Sequence, residues 1–498
     1  MSDNVTRRDF LKTASATAAG VTIAAGFSPF SYAQNEKVRV AAIGTGGQGS
    51  LHLRYGLTGA AKEVELVAVC DIYKPHLEGG WKQAVGDDPE KQKNVKQYMN
   101  YKEMLEKEQL DAVVISTPLY THHQIAMDCL SAGKYVFCEK TLAYTIDECR
   151  EIVKKCNETG LFCQVGHQRR YNPGYNKAMA MMLNEGAIGR LNHISAQWHR
   201  NDSWRRPVDT NYVLSDEEKA AGITDLEKHI NWRLYHEKSG GGLMTELASH
   251  QLDVCNWFLN TAPARVSGFG GVDYWKDSRD VDDNVVLIYE YDMLPSNPAF
   301  GTITKRNDKQ NFGKINRPYV VRVTYSSICA NAQRGAGELL QGDRGSFELT
   351  EAECFKYLEP TAIKPWDSGG TITAKEAAAN ITAGKSREVD TSKIETKTNI
   401  KYPTLFGPDG KEVDQKDRLS VLAAVDVLQF QSFANDIKTK GTPKANQMVG
   451  LMAAVAALSG EQSMREGKTI DIDKSLYSFD FETPNPYGYN DPSPEAKA

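Results

Sequence analysis

Residues 38–49 read VRVAAIGTGGQG, a short apolar run that ends in the spacing Gly44-x-Gly46-x-x-Gly49. Few folds accept this opening. The first glycine permits a tight turn after a strand, and the second lets the backbone approach a pyrophosphate. The third lets the next helix pack closely on the strand with its N-terminus facing the phosphates. Gly47 and Gln48 lie in the same turn. A helix-compatible stretch (50–59) follows, then VELVAVCD, which ends in Asp71, 22 residues after Gly49. That is near the ~20 residues expected of an acid that hydrogen-bonds a ribose hydroxyl. The spacing therefore predicts a dinucleotide-binding βαβ unit. Asp71 favours NAD, because a carboxylate repels a 2′-phosphate, while Lys74 nearby keeps NADP open.

The same period continues. DAVVISTP (111–118), KYVFCEK (134–140) and LFCQVGHQ (161–168) read as buried strands, with helical stretches such as HHQIAMDCLSAG and TIDECREIVKKCNETG between them. Strands alternating with helices of this length predict a doubly wound parallel sheet, placed at 36–160. From about 190 the strands come as alternating runs with fewer helices (LNHISAQWH, ARVSGFGGVDYW, NVVLIYEYDM, PYVVRVTYSS). This predicts a second α/β domain, 161–475, built on a large, mostly antiparallel open sheet. The free face of that sheet could form an oligomer interface. One helix is predicted over Gly240 to Leu259, and a closing helical block is predicted to return to the first domain. Residues 200–238 and 365–400 read as inserts, and 476–498 as a Pro-rich tail expected to be disordered.

Composition narrows the partners. The 498 residues carry a net charge of −5 with 41% hydrophobic residues, which fits a globular protein and excludes nucleic acid as a partner. Thr6 to Lys12 (TRRDFLK) carries Arg7 and Arg8 ahead of a weakly apolar run and Ser31-Tyr32-Ala33. Residues 1–33 are therefore expected to be a twin-arginine export signal, recognised by that export machinery and leading to the periplasm. No stable membrane span is expected in the mature chain. The nine cysteines show no zinc spacing and are expected as buried free thiols.

Three further elements make the reading specific. These are the turn Thr117-Pro118-x-x-x-His122, the strand end Glu139-Lys140-Thr141, and Gly240-Gly241-Gly242-x-x-x-Glu246-x-x-x-His250. Together with the Rossmann opening and the closing helices, they resemble the Gfo/Idh/MocA oxidoreductase family. The resemblance covers most of residues 36–475. It implies a Rossmann domain holding NAD or NADP, a C-terminal α/β domain with an open sheet, assembly as a homodimer or homotetramer, and a sugar, polyol or glycoside as substrate. It places Gly44, Gly46, Gly47, Gln48, Gly49, Asp71, Thr117, Pro118, His122 and Glu139 at the cofactor. The chain departs from the family pattern at Thr141, where proline is usual, and at Glu246, where aspartate is usual. The first change is expected to relax a turn.

The chemistry of carbinol oxidation needs a group to take the hydroxyl proton. Lys140, at the carboxyl end of a strand, is expected to have its pKa lowered by burial and by the nicotinamide cation, as a general base requires. Glu246 and His250 are four residues apart and are expected to share one face of the helix after Gly240-Gly241-Gly242, with Asp253 close to that face, His250 shuttling the proton and Glu246 orienting a sugar hydroxyl or the imidazole. Glu246 could supply two metal ligands with His250, but no third stands out, so no metal is expected. GHQRRYNPGY offers Arg169 and Tyr171 as substrate contacts. WHRNDSWRRP offers His199, Trp204, Arg205 and Arg206, which suit either carbohydrate or a subunit contact. Free dinucleotide is not expected outside the cytoplasm, so an exported enzyme would carry its cofactor bound. Two rivals stay open: a glycosidase that retains NAD and works through transient C3 oxidation and elimination, and a non-catalytic sugar- or dinucleotide-binding protein.

Overall fold

The computed structural model describes residues 36–294, 297, 318–358 and 397–487. The twin-arginine segment, nearly all of the 365–400 insert and the last residues of the tail (488–498) lie outside the described residues.

Six short strands form the first sheet: β1 (Val38–Ile43), β2 (Val64–Cys70), β3 (Lys96–Tyr98), β4 (Ala112–Ile115), β5 (Tyr135–Cys138) and β6 (Cys163–Val165). Their order is β3-β2-β1-β4-β5-β6, and every pairing is parallel. Apolar residues dominate β1, β4 and β5 because helices cover both faces of a parallel sheet, and all four residues of β4 (Ala, Val, Val, Ile) are buried. The sheet runs on past residue 160 to Val165, since β6 pairs with β5. The strand order reverses between β1 and β4, and ligands bind at the crevice outside such strand ends.

The second sheet has nine strands: β7 (Leu191–His199), β8 (Arg265–Gly271), β9 (Asn284–Met293), β10 (Tyr319–Ile328), β11 (Ala336–Gly342), β12 (Gly345–Leu349), β13 (Cys354–Leu358), β14 (Thr398–Asn399) and β15 (Ile470–Asp471). β7 and β10 pair in parallel, and the other pairings are antiparallel. Burial alternates along β9 and β10, so one face is core and the other is open. Tyr289, Tyr291, Tyr325 and Phe347 fill the packed face; the Tyr291 hydroxyl donates to Asn256 of the helix Ser249–Leu259 and the Tyr289 hydroxyl to the Ala456 carbonyl of the helix Gln447–Glu466. On the open face Phe269 is 81% exposed and Val286 52% exposed.

The closing helices do return to the first domain. Helix Arg418–Thr439 packs on the helical run that follows the glycine turn, and helix Gln447–Glu466 packs on helix Ile146–Thr159. All nine cysteines are buried and free, and burial pushes their thiol pKa values upward. The tail is ordered as far as it is described. Arg150 donates to the carbonyls of Ser475 and Leu476, and Arg170 donates to that of Pro486 at 2.9 Å. These side chains satisfy the backbone of a Pro-rich segment that has no ladder of its own.

The predicted helix over 240–259 is two pieces. A π-helical turn, Met244–Ala248, precedes the α-helix Ser249–Leu259. Side chains take the carbonyls there. The Thr245 carbonyl accepts from Thr141 Oγ1 at 2.6 Å and from Ser249 Oγ at 2.7 Å, and the Glu246 carbonyl accepts from Lys140 Nζ at 2.8 Å. Such insertions widen a helical turn and occur often at functional sites.

Candidate active site

The glycine turn opens directly off β1. Gly44 has φ +87°, and a Cβ there would lie 2.7 Å from the Ser116 carbonyl oxygen and the Thr117 nitrogen, so only glycine fits between the two strand ends. Gly49 packs against the backbone of Gly44, and its role is helix–strand contact. Beyond the turn lies a cleft of about 330 Å³. Gly44, Gly46, Gly47, Gln48, Asp71, Thr117 and Pro118 line it. The glycine turn carries no side chain of its own at Gly44, Gly46 and Gly47, and the cleft is acidic at its far edge, so the lining fits a nicotinamide dinucleotide.

Asp71 is fixed by the backbone. Its Oδ2 accepts from the Thr45 nitrogen at 2.8 Å, and its Oδ1 accepts from the Tyr73 nitrogen at 2.9 Å. Lys74, the cation that kept NADP open, is engaged elsewhere: its Nζ lies 2.9 Å from Glu217.

Two residues expected at the cofactor sit behind it. His122 is buried, with one ring nitrogen 3.0 Å from the Thr141 carbonyl and the other 2.9 Å from the Thr117 carbonyl. It ties the two cleft loops together. Glu139 is buried in an ion triad: its Oε1 lies 2.8 Å from His52 Nε2, and His52 Nδ1 lies 2.9 Å from Asp426. Glu139 Oε2 also accepts from the Lys140 nitrogen at 3.1 Å. It anchors the strand end that carries Lys140 and does not line the cleft. The Thr141 turn is held rather than relaxed, through the bonds to Thr245 and His122.

Lys140 projects from that anchored end. Besides the Glu246 carbonyl, its Nζ lies 3.4 Å from Glu246 Oε2. Arg233 Nε donates to the same Oε2 at 2.8 Å. Burial would raise the Glu246 pKa, but Lys140 and Arg233 outweigh it and hold the carboxylate below its ordinary range. His250 does not pair with Glu246. The π turn separates them, and His250 packs beside Trp198 (ring centroids 5.6 Å apart) and His167 (6.1 Å). Burial lowers the His250 pKa well below 6.5, and Lys140, Arg169 and His167 lower it further. The ring is therefore neutral at neutral pH. Among the described residues its nitrogens have no hydrogen-bond partner.

The remaining expected contacts divide. Arg169 is buried beside Trp198 (5.5 Å) and near Glu338 and Glu351, at 3.8 and 3.5 Å. It belongs to the floor of the His250 environment. Tyr171 does not: it packs with Leu405, Val421 and Val449, and its hydroxyl accepts from the Ala445 nitrogen at 3.3 Å. Asp253 is taken by Arg170 through both oxygens. His199 sits on the second sheet against Ser326 Oγ at 2.9 Å, away from the cleft. Trp204 stacks against Arg200 (4.4 Å) and reaches Arg233 (5.9 Å). Arg205 is bound by Glu227 and Asp277.

Sequence reasoning missed Trp198, His167 and Arg233. Arg233 both lines the cleft and grips Glu246. The Trp232-Arg233 pair just ahead of the glycine triplet was the available signal. The 200–238 segment, read as an insert, packs on the cleft. Arg206, His229, Trp232 and Arg233 wall the cleft opposite the glycines.

A Rossmann sheet with a glycine-lined cleft, joined to an open antiparallel sheet whose helix delivers acid and imidazole, defines a dinucleotide-dependent oxidoreductase architecture. Residues 38–167 match the oxidoreductase family with the NAD-binding Rossmann fold, and residues 176–304 match the Gfo/Idh/MocA C-terminal domain. The chain belongs to the Gfo/Idh/MocA family, and its first domain is the family's NAD-binding domain. It is 30% identical over 279 residues to glycosyl hydrolase family 109 protein 1 of Shewanella sp. (strain MR-4), a match that covers 52% of this chain and 56% of that protein. The chain thus aligns with little more than half the length of that relative. Inositol 2-dehydrogenase of Rubrobacter xylanophilus is 24% identical over 393 residues, covering 75% of this chain and 97% of the relative. Levoglucosan dehydrogenase, solved with NADH, superposes with a TM-score of 0.59 at 16% identity, over 88% of this chain and all of that one.

Proposed function

We propose that the protein oxidises a carbinol carbon of a sugar, polyol or glycoside with NAD held in the glycine cleft and retained between turnovers, the hydride being returned in the same site to the carbonyl of a second sugar. One observation carries the reading: Arg233 joins the cleft wall to Glu246, and Glu246 holds the Lys140 ammonium near a neutral His250. The bound nicotinamide supplies the two-electron acceptor. The protein supplies proton handling. His250, neutral and unpartnered, takes the hydroxyl proton, and Lys140 donates a hydrogen bond to the same oxygen. Glu246 and Arg233 keep the Lys140 ammonium in place. Trp198 offers an apolar face for a sugar ring, and Arg169 sets its position. The sugar dehydrogenases among the relatives support this substrate class.

The pH dependence follows from the direction of the His250 shift. Its folded pKa lies well below 6.5, so the ring stays a proton acceptor as the pH falls through that value. The acid limb of kcat/KM is expected below 6.5, and His250→Asn is expected to abolish that limb. A profile breaking at or above 6.5 would remove His250 from the role.

The likeness to glycosyl hydrolase family 109 favours a second reading on the same residues, in which transient oxidation at C3 makes the C2 proton acidic, the glycosidic group is eliminated, water adds and the ketone is reduced again. Deuterium from solvent at C2 of the product would select this course, and its absence would select hydride return to a second sugar. We further propose export by the twin-arginine route with the dinucleotide already in place, and pairing of subunits through the open sheet face that exposes Phe269, Val286 and Ile288. Among the described residues no helix is long and apolar enough to cross a membrane. Mass spectrometry of the protein as purified tests the cofactor reading: one NAD per chain is expected, and a chain that binds no dinucleotide even when NAD is added would refute it.

A further inference from the structure

The wall opposite the glycines is built from residues 206–233, and its construction is specific. Glu218, fully buried, forms a capping box with Ser215. The same carboxylate accepts from the Lys74 nitrogen at 3.0 Å and from the Tyr212 hydroxyl at 2.7 Å. Burial would raise its pKa, but these donors outweigh burial and hold it down to about 2. Tyr73, two residues past Asp71, packs edge-on against Tyr212 at 5.2 Å and against His229 at 6.1 Å. The segment is thereby fastened to the first domain just beyond the strand end that carries Asp71.

Arg206 stands at the other end of this wall. Asn231, itself buried, clamps its backbone: Asn231 Oδ1 accepts from the Arg206 nitrogen at 2.7 Å, and Asn231 Nδ2 donates to the Arg206 carbonyl at 3.1 Å. From there the guanidinium reaches over the glycine turn. A Cβ on Gly47 would lie 2.7 Å from Nη2 and 2.9 Å from Nη1. Among the described residues no carboxylate pairs with that guanidinium. Partial burial of the guanidinium and the nearby Arg233 act against its charge and Asp202 acts for it, while the residue as a whole stays exposed. It also faces the positive end of the helical run 47–59, where a second positive group is repelled and an anion is attracted. An anion bound at the glycine turn would meet this guanidinium.

We propose that residues 206–233 roof the dinucleotide cleft and that Arg206 grips the pyrophosphate from the side opposite the glycine turn, making this wall the device that retains NAD. The proposal rests on the cleft's being the dinucleotide site and adds the residue that closes it. Arg is the side chain suited to the task, since its planar fork meets two phosphate oxygens at once. The roof and the glycine turn then share one anion between them, and release requires the Glu218 and Tyr73 contacts to part.

The test uses the full chain loaded with NAD, freed of excess nucleotide and then diluted, with retained dinucleotide quantified over time. Arg206→Ala is expected to release NAD ~10–100-fold faster than the natural chain, as the loss of a charge-assisted contact predicts, with Arg206→Lys between the two. Hydrogen–deuterium exchange supplies a second readout: NAD is expected to slow exchange across 206–233 in the natural chain and not in Arg206→Ala. If the natural chain holds NAD and Arg206→Ala releases it at the same rate, the clamp is wrong while the cleft assignment stands. If the natural chain takes up no NAD, the cleft assignment itself falls.

Discussion

Lys140→Met lowers sugar turnover about 10²–10⁴-fold while the protein still folds and still carries its dinucleotide, the range set by losing one positioned proton-handling group. Methionine keeps the length of the side chain and removes its charge. The Glu246 carboxylate then keeps Arg233 as its remaining cation, so the buried charge is not stranded. The loss should fall on kcat more than on KM, because Trp198 and Arg169 still receive the sugar. Steady-state kinetics beside a measurement of bound dinucleotide separates the outcomes. Turnover within a few-fold of the natural chain would take Lys140 out of the chemistry. Loss of the dinucleotide would make its role structural.

The second large effect is on stability. His52 lies between Glu139 and Asp426 with both ring nitrogens engaged, and Phe137 and Phe430 pack edge-on against its ring. Burial alone would lower its pKa, but the Asp426 and Glu139 carboxylates overcome that and raise it to about 10. The imidazolium is therefore the folded-state form at neutral pH. Removing it with His52→Leu leaves two buried carboxylates facing each other and is expected to cost about 3–5 kcal/mol, the usual penalty for stripping one partner from a buried ion pair. Adding Glu139→Gln and Asp426→Asn should restore much of that loss, since neutral amides do not repel. The sign of the pH dependence follows. The folded pKa lies above the unfolded 6.5, so the stabilisation is complete below 6.5 and is lost as the pH rises through about 10. Denaturant unfolding of both variants across that range checks it. A single variant as stable as the natural chain would mean that the triad contributes nothing.

The triad also shows where the sequence stopped being readable. Glu139 was legible as a strand-end acid, but its partners lie 87 residues before it and 287 after it in the chain, and nothing local announces a contact with Asp426. The parallel sheet, the glycine turn and Asp71 were legible because each depends on short-range spacing. So was the open sheet, through alternation along β9 and β10. The π turn was not, because Lys140 and Thr141 impose it from another domain by capping the carbonyls of Glu246 and Thr245. That turn is why Glu246 and His250, four residues apart, serve different neighbours. Tyr171 looked like a substrate contact beside Arg169, yet the short 3-10 turn Gln168–Tyr171 sends the two side chains to opposite sides. The 200–238 segment looked like an insertion because its apolar residues are scattered. Its order comes from buried polar groups, Glu218 and Asn231, which hydropathy does not register.

The most direct test of the account is a single-turnover experiment on protein purified with its NAD in place, mixed in turn with a panel of sugars, polyols and glycosides. Reduced-nicotinamide absorbance is expected to appear with at least one of them, up to one equivalent per bound dinucleotide, and to stay absent with the same compound in Lys140→Met. A natural chain whose bound dinucleotide stays oxidised across the whole panel, with no glycoside consumed, would contradict the account and leave a protein that binds its ligands without transforming them.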